Sequence, residues 1–508
     1  MNLNTARPLG DSTTVLDLAD RDEMDDDLFP LSSDKSWFTR DSTRRHLNFS
    51  QSIQEFVPKG SAEFGGKLVF ELGSVKACDL LFTVALQIRL GHWFPPSVLE
   101  KIACGEYQYK TFTDPLEPNK NKPWYYANNL GTSIIAKAEF LLEDQVLETV
   151  DGDFANMFAL LYSDINTQFG VGVDGNGRVS IPTLRSWPQQ RIFPTSNGII
   201  SCILPFSFQR IRLRNGFPLT SVKEGTIRVA ITLRPFHECV RISTGIRDTC
   251  NETPLGKSFI FNSVTFDASG NIVVTPNAAT VVASTIVPPF ADCRLVTYGV
   301  LVDGKLRQAL LRAPFDRLYR DVQTFRFDEP KKYTVSSFTA GTVSLQLPLE
   351  VNGPLEELFW FVRRKAVSVN NEWANYSNTL EMDYDGTTTM PPVYHPLESM
   401  LVSATLQVNG IQMVQGSGDF FRRQISQHHR GGIVAYNNFV YGYSFAKNPG
   451  LQNPSGWMNA SRSSDVRLRV EVRPPGGTED LEFEVCVFAL SLNWVRFENG
   501  IANRVFSS

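Results

Sequence analysis

Alternation of apolar and polar residues recurs along the chain. Thr226 to Leu233 reads TIRVAITL, and Val466 to Val472 reads VRLRVEV with Val466, Leu468, Val470 and Val472 on one face; both patterns predict half-buried strands. Leu80 to Leu90, Ile134 to Leu142, Leu358 to Val362 and Val485 to Trp494 are fuller apolar runs, which predict strands covered on both faces. Turn formers separate them, including DGNG at Asp174 to Gly177 and PPGG at Pro474 to Gly477. Helical periodicity is confined to short segments: Phe154 to Tyr162, with Asp153 as its expected N-cap, and Lys305 to Arg312, which ends before Pro314. Many strands, few helices and long connections predict an all-β chain of sandwich or jelly-roll type. The polar, turn-rich stretch Ser243 to Lys257 divides it into halves of comparable length, so the domain boundary is expected there.

At 508 residues the chain exceeds what one ordinary core supports, which agrees with two domains. Thirty-six Phe against 6 His and 7 Cys favour extensive sheet packing over a metal-rich or nucleophile-rich site. Charge is unevenly placed: of the net −4, Met1 to Lys35 carries −6, leaving about +2 on the remainder. Non-specific binding to nucleic acid needs Lys and Arg to neutralise phosphates, so a nearly neutral body with an acidic leader argues against coating a genome. The N-terminus lacks the basic and apolar runs of a signal peptide, and the longest apolar stretches fall short of the ~20 residues that cross a bilayer. The expectation is a soluble protein with reduced thiols, although the spacing of Cys239 and Cys250 would allow a disulfide.

Chemical signatures are weak. Gly170 to Gly175 satisfies GxGxxG, but Arg178, Val179 and Pro182 follow where a phosphate-binding helix would have to start, so a surface loop is expected. His428 and His429 would point to opposite faces of a strand, a poor arrangement for chelation. Asp151 and Asp153 could form a carboxylate pair, yet a turn leading into a helix cap explains them with fewer assumptions. No P-loop, nucleophile elbow or HExxH pattern occurs, so no catalytic, cofactor-binding or metal site is assigned and no cofactor is expected. Sequons at Asn48, Asn251, Asn375 and Asn459 are expected to be coincidences of composition.

The C-terminal half carries an ordered series of segments: LVSATLQVNG, DFFRRQISQHH, NNFVYGYSFAKNP, QNPSGWMNASR and LSLNWVRFENGIANRVFS. Through Asn409, Gly410, Tyr441, Tyr443, Ser444, Phe445, Pro454, Ser455, Gly456, Asn459, Ser461 and Arg462 the series resembles the major capsid protein of nucleocytoplasmic large DNA viruses. Arg44 to Ser50, Leu130 to Ala136, Asp151 to Leu161, Val300 to Leu311, Pro354 to Lys365 and Asn375 to Asn378 resemble further segments of that family, so the likeness spans nearly the whole chain. Trp457 departs from it, standing where a smaller residue is usual, and Thr265 to Pro289 reads as an elaboration.

The resemblance implies a tandem double jelly roll, two eight-stranded antiparallel sandwiches with a few short helices in connecting loops. The expected layout is an acidic N-terminal arm over 1–40, a first jelly roll over 41–242, a linker over 243–257 and a second jelly roll over 258–508. It further implies a non-enzymatic homotrimer forming pseudo-hexagonal capsomers of an icosahedral shell, with neighbouring capsomers and minor capsid and penton proteins as partners. Proximity to an internal viral membrane, no direct nucleic-acid contact, and assembly in the host cytoplasm into the virion capsid are also implied. The arm, at −6, would be repelled by anionic lipid, so it is expected to dock on protein through Leu28, Phe29, Trp37 and Phe38. Long connections at Phe94 to Trp124 and Tyr162 to Pro194 are expected to form outward towers and subunit contacts. Tandem sandwiches with Trp93, Trp124 and Trp187 also suit an alternative, a carbohydrate-binding or hydrolytic protein, which the lack of a credible carboxylate pair weakens.

Overall fold

The computed structural model describes residues 49–72, 78–91, 124–127, 129–142, 145–162, 199–210, 216–223, 225–242, 261–266, 272–276, 289–312, 314–328, 342–368, 371–378, 399–428, 439–450, 453–463, 465–473, 482–498 and 500–505. The arm with Leu28, Phe29, Trp37 and Phe38, the glycine-rich loop at Gly170, most of the expected towers with Trp93 and Trp187, and the 243–257 stretch lie outside the described residues.

Within Phe49–Ser508 the chain order begins with strands β1 (Phe49–Phe56), β2 (Lys67–Glu71), β3 (Leu80–Leu90), β4 (Trp124–Tyr126), β5 (Ile135–Leu142) and β6 (Gln145–Val150). Helix α1 (Gly152–Tyr162) follows, then β7 (Ile199–Ile203), β8 (Phe217–Pro218), β9 (Ile227–Leu233), β10 (Val240–Ile242), β11 (Phe261–Phe266), β12 (Ile272–Pro276) and β13 (Phe290–Val302). Two antiparallel sheets, ordered β1-β13-β3-β7 and β2-β9-β5-β6, share a buried core that includes Leu86, Ile88 and Leu295 from the first and Leu68, Phe70 and Ile231 from the second. Phe140 packs on Phe206, Phe208 and Phe217 with centroids 5.5, 5.5 and 5.1 Å apart, the use the aromatic-rich composition suggested.

Helix α2 (Gly304–Arg312) leads into β14 (Phe315–Asp328), β15 (Val343–Pro348), β16 (Pro354–Arg364), β17 (Leu401–Val408) and β18 (Ile411–Ser417). After helix α3 (Gly418–His428) come β19 (Val440–Ser444), β20 (Met458–Asn459), β21 (Val466–Val472), β22 (Phe483–Glu498) and β23 (Ile501–Arg504). The second pair of sheets is ordered β14-β22-β16-β19 and β15-β21-β17-β18. Numbering the eight principal strands of each sandwich in chain order, both read first-eighth-third-sixth on one sheet and second-seventh-fourth-fifth on the other. That is the jelly-roll order, executed twice.

The expected boundary is corrected by the strand pairing. Leu295 of β13 lies opposite Leu86 of β3 and Phe56 of β1, so Phe290–Val302 is the eighth strand of the first jelly roll. The chain therefore passes between sandwiches at Asp303 to Pro314, around α2, and the expected ranges 41–242, 243–257 and 258–508 do not hold. A turn-rich composition marks any loop; here the loop interrupts the first sandwich between its seventh and eighth strands, and the β11–β12 hairpin lies within that insertion.

Helix assignments also shift. The Phe154 amide donates to Asp151 Oδ1 at 2.7 Å, so Asp151 and not Asp153 caps α1. His428 ends helix α3, which removes the extended geometry assumed for the histidine pair; His429 lies outside the described residues.

Candidate functional site

The resemblance residues of the second jelly roll lie in the β17–β18 turn, on and just after β19, and in the loop that precedes β21. Asn409 and Gly410, at φ 50° and 77°, form the two-residue turn joining β17 to β18, where Val408 faces Ile411. Positive φ at both positions is what this tight hairpin needs, and Asn-Gly tolerates it best. The turn is tied to the start of β21: the Asn409 amide donates to the Asp465 carbonyl at 2.8 Å, and the Asp465 amide to Asn409 Oδ1 at 3.2 Å.

Tyr441 and Tyr443 stand on β19 opposite Trp360 and Leu358 of β16. Tyr441 is buried, stacks on Trp360 at 6.1 Å and shares a short hydrogen bond with the Ser399 hydroxyl; burial pushes its phenol well above the usual range. Tyr443 meets Phe445 edge-on at 5.0 Å. Ser444 turns the strand end, its hydroxyl accepting the Ala446 amide at 3.0 Å, while the Phe445 amide donates to the Glu356 carbonyl at 2.9 Å.

The loop Asn453 to Arg462 folds back onto this end. Ser455 Oγ accepts the Asn448 amide at 2.8 Å and donates to the Asn448 carbonyl at 3.0 Å. Gly456 sits at φ 153°, and a Cβ there would lie 2.7 Å from the Phe445 carbonyl oxygen, so only glycine allows the two segments to approach. Asn459 pairs with Pro354, and Ser461 Oγ accepts the Gly353 amide at 2.7 Å. Pro454 is half-buried, whereas Asn459 and Arg462 are exposed. Every contact named here lies within the second sandwich.

A second assembly of residues, the seam between the jelly rolls, was not foreseen. Asp153 of α1 receives Arg363 Nη1 and Nη2 of β16 at 2.7 and 3.2 Å and Arg326 Nη2 of β14 at 2.9 Å. Arg363 also reaches Glu484 on β22, and Arg326 reaches Asp151 at 2.7 Å. Burial alone would raise the Asp153 carboxyl, but the two guanidiniums outweigh it and hold it below the ordinary carboxylate range. Asp151 is pushed the other way, by burial and by the charge of Asp153. Beside this cluster Asn156 Nδ2 donates to the buried Tyr376 hydroxyl at 2.9 Å, and Phe154 meets Phe488 at 5.3 Å.

Further along the seam Glu148 of β6 faces Arg210 Nη1 at 2.6 Å and accepts the Ser207 amide at 2.7 Å, while Arg210 Nη2 donates to the Arg320 carbonyl of β14. Arg320 in turn forks onto Glu356 of β16. The Trp373 indole donates to the Glu238 carbonyl at 2.9 Å, with the Arg234 guanidinium 4.1 Å above its ring. Charged residues thus fill positions a lone sandwich would leave facing water.

Nothing in these groups resembles a reactive site. Among the described residues no group of three or more His, Cys, Asp or Glu could hold a metal ion, and no helix is long and apolar enough to cross a membrane. Cys78, Cys202, Cys239, Cys293 and Cys486 are buried free thiols, so Cys239 forms no disulfide. Of the sequons, Asn375 is buried and donates to Glu372 at 2.8 Å, while Asn459 is exposed.

Residues 317–503 match the family described as large eukaryotic DNA virus major capsid protein. A search of curated protein sequences found no match. Among solved structures, VP54 of PBCV-1 is similar at 14% identity and a TM-score of 0.63, covering 92% of this chain and 98% of that one. The Faustovirus major capsid protein is similar at 10% identity and a TM-score of 0.61, covering 96% and 97% of the two chains. A chain in the Sputnik virophage structure is similar at 10% identity and a TM-score of 0.53, covering 94% and 92%. At such identities these likenesses fix the fold, which is the double jelly roll, while the family match rests on the sequence of the second sandwich. Residues 317–503 thus match the sequence family of large eukaryotic DNA virus major capsid proteins, and the described chain has the double jelly-roll fold of the solved capsid proteins it resembles.

Proposed function

We propose that the chain builds the viral shell as a homotrimer, three copies presenting six jelly rolls as a pseudo-hexagonal capsomer of an icosahedral capsid. The observation that carries this reading is the repeat of one strand order in two sandwiches joined by a buried, charge-paired seam. Two fused, similar barrels with a fixed mutual orientation, taken three times about an axis, give six near-equivalent edges, and such edges tile a facet with quasi-equivalent contacts. Neighbouring capsomers and minor capsid and penton proteins are the partners of those edges, and host cytoplasm is the place of assembly.

The acidic arm serves the inner face, docking on protein through Leu28, Phe29, Trp37 and Phe38 beside any internal membrane. Its charge of −6 supports a protein partner over anionic lipid, and the net −4 of the chain supports a shell that does not bind nucleic acid directly. In this role the motif loop at Pro454 to Arg462 locks the second sandwich. The native mass of the purified chain tests the reading: a species near three times 57.0 kDa supports it, and a stable monomer at all concentrations contradicts it.

A further inference from the structure

Between the two sandwiches lies a cleft whose empty space, mouth included, is about 450 Å³. Its walls come from both jelly rolls: Phe140, Phe208 and Phe217 from the first, Phe497 and Val495 from the second. Arg317 of β14 stands among them, half-buried, opposite Val495 on the neighbouring strand. Every other arginine described in the seam meets a carboxylate: Arg363 and Arg326 meet Asp153, Arg210 meets Glu148, and Arg320 meets Glu356. Among the described residues Arg317 has neither an ion pair nor a hydrogen bond, and Glu148 in the same wall is taken up by Arg210 and Ser207.

We propose that this cleft binds a small monocarboxylate with an apolar body, its carboxylate on the Arg317 guanidinium and its body against the phenylalanine rings. An unpaired cation half out of water is costly, and the fork of donors on arginine matches a carboxylate. Burial alone pulls the Arg317 guanidinium down to about 10, as expected for a cation with nothing opposite it. A multiply charged inorganic anion fits poorly, because it would lose its hydration against five aromatic side chains and gain one cation. A neutral apolar molecule would leave Arg317 unpaired. An apolar pocket with a few fixed polar groups is the usual form of a small-molecule site. The inference rests on the seam geometry and stands apart from the trimer.

The test uses the full chain with hexanoate, 1-hexanol and sulfate as probes, followed by calorimetry and by ligand-observed NMR. Hexanoate is expected to bind saturably at concentrations below about 10 mM, and 1-hexanol and sulfate at least about tenfold more weakly. Arg317→Met is expected to reduce hexanoate binding to the hexanol level, and Arg317→Lys to retain part of it. Should Arg317→Met not fold, the hexanol comparison and Arg317→Lys decide the matter. No saturable hexanoate binding, equal binding of hexanol, equal binding of sulfate, or undiminished binding by Arg317→Met would each overturn the proposal.

Discussion

Asp153 offers the sharpest perturbation of the seam. Its side chain is 5% exposed and that of Arg363 is 4% exposed, so the pair falls in the buried class. Removing one partner from such a pair costs about 3–5 kcal/mol, against less than about 1 kcal/mol for a surface pair. In Asp153→Asn both arginines keep a second carboxylate, Arg363 its Glu484 and Arg326 its Asp151, which favours the lower end, about 3 kcal/mol. With a denaturant slope of about 3 kcal/mol per molar urea, the unfolding midpoint at pH 7 should fall by about 1 M. The pH dependence has a definite sign. A carboxyl held below its unfolded value of about 3.9 contributes stability that is complete above that value and is lost as pH falls through the folded one. Asp151, raised by burial and by the charge of Asp153, has the opposite sign and protonates first, so the comparison is made in an Asp151→Asn background, where the difference between that variant and the double variant with Asp153→Asn is the quantity to follow. That difference should be constant from neutral pH to about pH 5 and shrink below about pH 4. A midpoint unchanged to within about 0.2 M at pH 7, or a difference that does not shrink in acid, would refute the assignment of Asp153 as the tie between the barrels.

Other outcomes follow from single residues. Gly456→Ala should lower stability by about 1–3 kcal/mol, since its Cβ would press on the Phe445 carbonyl at a strained φ, and thermal unfolding reads it; an unchanged melting temperature would place the loop elsewhere. Burial raises the thiols of Cys78, Cys202 and Cys293 to about 12 and pushes those of Cys239 and Cys486 well above the usual range, so maleimide at pH 8 should label no more than the other two, Cys104 and Cys250, until the protein unfolds. Deleting Met1 to Lys35 should leave trimers intact and impair shell assembly, and loss of the trimer by native mass would count against the docking role given to the arm.

Strands were legible because their pattern is local. TIRVAITL and VRLRVEV became β9 and β21 within a residue, and the apolar run at Leu358 became the fully covered β16. What hides in that run is the reason for its flanking charges. Glu356, Glu357, Arg363 and Arg364 are buried, and Arg363 finds its partner 210 residues away at Asp153, a distance over which periodicity carries no information. The boundary failed for a related reason: β13 belongs to the first sandwich through pairing with β1 and β3, whereas composition sees only the polar loop before it. Helix α3 escaped periodicity because its described part buries only Gly418 and Phe421 and leaves Phe420 and Arg423 exposed. The motif residues follow one another in the sequence, but their places in the β17–β18 turn, on β19 against β16, and beside Pro354 are set by pairing between distant segments.

Electron microscopy of the purified, negatively stained protein would read the capsomer itself. Class averages should have a hexagonal outline with six lobes, two from each chain, because the seam holds each pair of jelly rolls as one block. Particles with two lobes, unchanged as concentration rises, would contradict the account.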